Sequence, residues 1–153
     1  ATFTHYEIIN KMYEEGYLTD GFMAEFYHNH SNVIFQPDFD SKYYSGLNPY
    51  TLGFNILSDI KRMSLNPTEE DKKWFPEIAG KGNWDEVFRY AVENFKDESL
   101  ILQYLSPKVI RDMKLFTIDD NQDEDVYNIK AIHNENGYKK IRENLSTQYN
   151  RNR

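Results

Sequence analysis

Hydrophobic residues recur at helical spacing through most of the chain. Phe3, Tyr6, Ile9 and Tyr13 predict a helix over 2–15, ended by Gly16. A second helix is expected over 20–29, with Thr19 or Asp20 as cap and Met23, Phe26 and Tyr27 on one face. From His28 to Pro49 the periodicity lapses into an irregular run rich in Asn, Asp, Gly and Tyr. Asn48-Pro49 then starts a helix to about 64, apolar on more than one side at Leu52, Phe54, Ile56, Leu57, Ile60 and Met63. Asn66-Pro67-Thr68-Glu69 opens a short helix through Trp74, with Glu as the expected capping-box partner. Another helix, capped around Asn83 to Glu86, turns Trp84, Val87, Phe88, Ala91, Val92 and Phe95 inward. Asp97 and Ser106-Pro107 start two more. The period then changes. Lys114–Ile118 and Val126–Ile132 are β-like, and the acidic segment 119–125 between them predicts a hairpin. A closing helix over 136–149 repeats Tyr138, Ile141, Leu145 and Tyr149. The expected class is α+β, mostly helical, with one β-hairpin near the C-terminal third.

The 153 residues suit one domain. Aromatics make up 16%, with 12 tyrosines and 10 phenylalanines, enough large buried rings to argue against disorder. No apolar run approaches the ~20 residues of a membrane span. Cysteine is absent, which excludes disulfides and thiolate chemistry from this segment. The net charge is −7, but Asp119, Asp120, Asp123, Glu124 and Asp125 supply five of the acids, so the acidity is mostly local. No basic stripe suits a phosphate backbone, so nucleic-acid binding is not expected.

The candidate chemistry lies in the histidines. Glu25 and His28 are three apart and share a helical face. His28 and His30 share a face only if the chain is extended there, because on a helix they diverge by about 200°. His5 falls on the side of the first helix that holds Ile8, Ile9 and Met12. These four residues are the candidate ligands of a divalent metal such as zinc, weighed against a plainer role as hydrogen-bonded aromatics in a Tyr-rich core. His133 reads as a surface or cap residue. Asp119, Asn121, Asp123 and Asp125 alternate as in an EF-hand loop, yet Glu124 stands where glycine is needed and Lys130 where a bidentate glutamate is needed. A solvated turn fits that segment better.

The stretch HSNVIFQPDFDSKYYSGLNPYTLGF resembles the stage V sporulation protein R (SpoVR-like) family. The resemblance continues through NPTEEDKKWFPEIAG and NFKDESLILQYLSPKVIRDMKLF into the closing helix. It implies a single SpoVR-like segment over 1–153, part of a larger cytoplasmic protein. It also implies a link to spore cortex formation, a serine kinase and the regulation of cell-wall amidases. The family stretch just before this one resembles a metallopeptidase, with a Glu shortly upstream of Ala1. The alternative function is therefore a metal-dependent hydrolase whose His/Glu site is shared with upstream sequence.

Overall fold

The computed structural model describes residues 1–121, 126–130 and 134–151. Among them the chain forms α1 (Thr2–Glu14), α2 (Asp20–Val33), α3 (Pro49–Leu65), α4 (Glu69–Trp74), α5 (Trp84–Asn94), α6 (Asp97–Tyr104), α7 (Pro107–Asp112), β1 (Thr117–Asn121), β2 (Val126–Lys130) and α8 (Glu135–Arg151). The expected α+β class is corrected to a helical one: the eight helices carry the fold. Among the described residues β1 and β2 pair only with each other, antiparallel from Thr117 opposite Lys130 to Asn121 opposite Val126. Such a ribbon lacks the strands to form a sheet layer against helices, which the α+β class requires. It also starts later than expected, because Met113 closes α7 and Lys114 turns the chain at φ 51°. Asp123, Glu124, Asp125 and His133 lie outside the described residues.

Two compact units divide the chain, residues 1–58 and 59–153. In the first, α1, α2, an irregular segment over 34–48 and the start of α3 bury Phe3, Met23, Phe26, Leu52 and Ile56. Thr19 caps α2 by accepting from the Phe22 N–H at 3.2 Å. The helix runs four residues past its expected end. No proline stops it before Pro37, and His30 is drawn inward by its ring contacts. The Ser31 hydroxyl donates to the Tyr27 carbonyl at 2.7 Å, so this polar residue is accommodated within the helix.

The second unit buries Ile60, Met63, Phe75, Ile78, Leu105, Ile110 and Ile141. Thr68 caps α4 in a capping box whose acidic partner is Asp71, not Glu69. The Asp71 carboxylate must lie three residues into the helix to reach the Thr68 N–H, at 2.7 Å. Ser106 caps α7, with its hydroxyl accepting from the Val109 N–H at 3.1 Å. In α5, Val92 is exposed rather than inward, while Ala91 beside it is buried. No helix among the described residues is long and apolar enough to cross a membrane.

Candidate functional site: a histidine-lined cavity and a clasped aromatic loop

The first unit carries two features that could do chemistry or recognition. One is a cavity of about 480 Å³ lined by Ala1, Thr2 and His5 of α1's end and by Phe22, Glu25, Phe26, Asn29, His30 and Val33 of α2. Glu25, Asn29 and Val33 follow one another at four-residue spacing. Phe22, Phe26 and His30 do the same one position around, so two adjacent rows of α2 form one wall. The His5 ring stands edge-on to Phe26, with centroids 5.2 Å apart. His30 sits inside an aromatic cage: its centroid is 4.9 Å from Tyr6, 5.6 Å from Phe26 and 4.8 Å from Phe54. Burial, and secondarily the charge of His5, pushes the His30 imidazole below its usual pKa, so the ring is neutral at neutral pH.

The structure thus brings His5, Glu25 and His30 to one cavity. His28 is exposed and is not part of the lining. α2 is helical throughout 28–30, so His28 and His30 point to opposite sides. Among the described residues no three His, Asp or Glu side chains are gathered closely enough to hold a metal ion. A divalent metal at this cavity therefore lacks a complete ligand set within the described residues. Asn29 and Phe22 were not singled out from sequence. His30 and Val33 join the rows that hold Phe22 and Asn29 because α2 continues past Asn29.

The second feature is the irregular segment 34–48, which two amide side chains clasp at its base. The Asn48 Nδ2 donates to the Val33 and Phe35 carbonyls at 2.9 and 3.0 Å, and its Oδ1 accepts from the Tyr50 N–H at 3.0 Å. Gln36 Oε1 accepts from the Asn48 N–H at 2.6 Å while its Nε2 donates to the Gly46 carbonyl at 3.2 Å. The Thr51 hydroxyl adds a bond to the Ile34 carbonyl at 2.7 Å. Gly46 takes φ 109°, a conformation that a residue with a Cβ adopts only under strain. So held, the segment and the first turn of α3 present Phe35, Phe39, Tyr43 and Tyr50 to solvent, at 62%, 49%, 67% and 61% exposure. Lys42 lies over the Tyr43 ring at 4.9 Å, and Phe39 packs edge-on to Tyr44 at 5.3 Å. Asn48 reads from sequence as a helix start. Its second role as the clasp does not, since its loop partners are 13 and 15 residues away.

The first unit thus holds a caged histidine at a cavity and, beside α3, a loop ordered by side-chain hydrogen bonds. The chain belongs to the SpoVR-like family: the family described as SpoVR like protein matches residues 1–153. It is also 55% identical over 150 residues to the Uncharacterized protein YcgB of Escherichia coli (strain K12). That match covers 98% of this chain and 29% of the relative, so the chain spans under a third of that relative's length. No solved structure matches it.

Proposed function

We propose that the protein acts in the cytoplasm in spore cortex or cell-wall (peptidoglycan) regulation, through protein partners drawn from serine kinase and cell-wall amidase systems. Within this chain the contact surface is the clasped loop over 34–48. The observation that supports this is the exposure of Phe35, Phe39, Tyr43 and Tyr50 on a segment fixed by Gln36 and Asn48. Exposed aromatics held in place lose little entropy on binding, and buried aromatic anchors dominate the energetics of protein interfaces. The cellular setting is part of the proposal and rests on the resemblance to the family.

The test is co-purification of the intact protein with the kinase and amidase regulators, before and after Phe35→Ala, Tyr43→Ala and Tyr50→Ala. Because all three side chains face solvent, each substitution is expected to change stability by about 0.5 kcal/mol or less. At least one should weaken partner binding by about tenfold or more. Unchanged capture by the triple variant would overturn the assignment of this surface.

The second reading is a metal-dependent hydrolase, with ligands from this chain completed elsewhere in the protein. It is favoured by the meeting of His5, Glu25 and His30 at one cavity. Metal content of the intact protein, purified without added metal or a histidine tag, reads it directly. Stoichiometric metal that is lost in His5→Ala and His30→Ala but kept in His28→Ala supports this reading. Full-length protein without bound metal removes it.

A further inference from the structure

His30 carries a buried polar atom for which the fold has no use. The residue is 9% exposed, and its Nε2 finds no hydrogen-bond partner in the protein. A buried nitrogen left unpaired is costly, and such exceptions call for an explanation. The ring is held among Tyr6, Phe26 and Phe54, so turning out to water would break three ring contacts. It lines the same cavity of about 480 Å³, within the roughly 300–1,000 Å³ range of small-molecule sites.

The lining divides by chemistry. Phe22, Phe26 and Val33 are apolar, and Glu25, Asn29 and His5 are polar. The most buried polar group of the lining is therefore the His30 imidazole, set against aromatic rings. The burial of His30 penalises any charged group brought up to it. A carboxylate would in addition meet the Glu25 charge. A hydroxyl suits the imidazole in either tautomer, because it can both donate and accept.

We infer that this cavity binds a small neutral molecule with an aromatic or branched apolar body and one hydroxyl. The hydroxyl pairs with His30 Nε2, and the body lies against Phe22, Phe26 and Val33. This site is separate from the proposed contact loop, so Phe35→Ala, Tyr43→Ala and Tyr50→Ala leave its binding unchanged. The two proposals can fail independently.

A matched pair of probes tests the inference: 2-naphthol and 2-methylnaphthalene, which differ in hydroxyl against methyl, titrated by fluorescence into the intact protein. A site built to pair a hydroxyl rejects the analogue without it, so 2-naphthol is expected to bind about tenfold tighter or more. His30→Phe retains an aromatic ring in the cage but removes Nε2. It is expected to bind both probes alike. Val33→Trp, at a half-exposed position, fills the cavity and should lose both. Several results would overturn the inference: equal affinities in the natural protein, no binding of either probe, a preference that survives His30→Phe, or 2-naphthol binding unchanged in Val33→Trp. Zinc that binds one-to-one through His30 and displaces 2-naphthol would overturn it too, in favour of the metal reading.

Discussion

Arg62→Ala is expected to destabilise the second unit by about 3 kcal/mol, toward the lower end of the cost of breaking a buried ion pair because the arginine itself is a quarter exposed. Arg62 closes α3 onto two carboxylates. Its Nε lies 2.6 Å from Asp59 Oδ1, and its two terminal nitrogens meet Asp71 end-on at 2.7 and 2.8 Å. Asp59 and Asp71 are only 5% and 3% exposed. Asp59 also accepts from the Ser106 hydroxyl at 2.6 Å, and Asp71 holds the Thr68 cap. One guanidinium thus joins the starts of α4 and α7 to the end of α3, and its removal leaves two buried anions without their cation. Arg62→Lys keeps the charge but loses the fork, so it should fall between the two.

Acid provides the control. Burial alone would raise the Asp71 pKa, but Arg62 and the Thr68 N–H and hydroxyl outweigh it and hold the carboxyl below its usual range. The folded pKa is therefore lower than the unfolded value of about 3.9. Stability from this group is fully present above the unfolded value and lost as pH falls through the folded one. Without Arg62 only the Thr68 hydrogen bonds oppose the burial effect, so Asp71 takes up a proton more readily. The stability gap between the natural protein and Arg62→Ala should therefore be widest near neutral pH and shrink below about pH 4. Urea unfolding followed through Trp74 and Trp84, both in this unit, measures it. A gap that stays constant with pH would mean that the loss comes from packing and not from charge.

That network also shows where the sequence could be read and where it could not. Pro49, Thr19, Thr68 and Ser106 announce their helices because a cap acts over three or four residues, within the reach of a local pattern. The end of α2, at Val33 and not at Asn29, has no such local mark for the opposite reason. His28, Asn29, His30, Ser31 and Asn32 are weak helix formers, and what keeps them helical is the ring cage that receives His30 from α1 and α3. With the helix ended at Asn29, His28 and His30 could be imagined on one face. With it carried to Val33 they separate, and His30 joins His5 and Glu25. The Asp59–Ser106 bond spans 47 residues and leaves no local mark. The β-like period around 114–132 was legible as alternation. Alternation cannot say whether further strands exist to form a layer, so it could not settle the fold class.

Phe75→Ala is expected to cost about 3–5 kcal/mol, the range for an aromatic removed from a close-packed core. Phe75 is 2% exposed and closes α4, its N–H donating to the Asp71 carbonyl at 2.7 Å. Its ring does more than fill space. Arg142 of α8 lies over it at 5.4 Å and over Trp74 at 5.1 Å, donates through Nε to the Leu105 carbonyl, and leaves its NH2 without a partner. Burial pushes this guanidinium down to about 10, so it stays charged at neutral pH and bears a desolvation cost. The aromatic faces are what offset that cost, because a ring attracts a desolvated cation by about 2 kcal/mol. Arg142→Leu removes the charge together with its cost and should change stability far less than Phe75→Ala does. In the double variant the cavity remains but no cation is stranded beside it. The two changes should therefore cost less together than the sum of the singles, by about 0.5–2 kcal/mol. Thermal and urea unfolding of the four proteins close the cycle. Strict additivity would show that the Phe75 ring serves only as packing and does not stabilise the Arg142 cation.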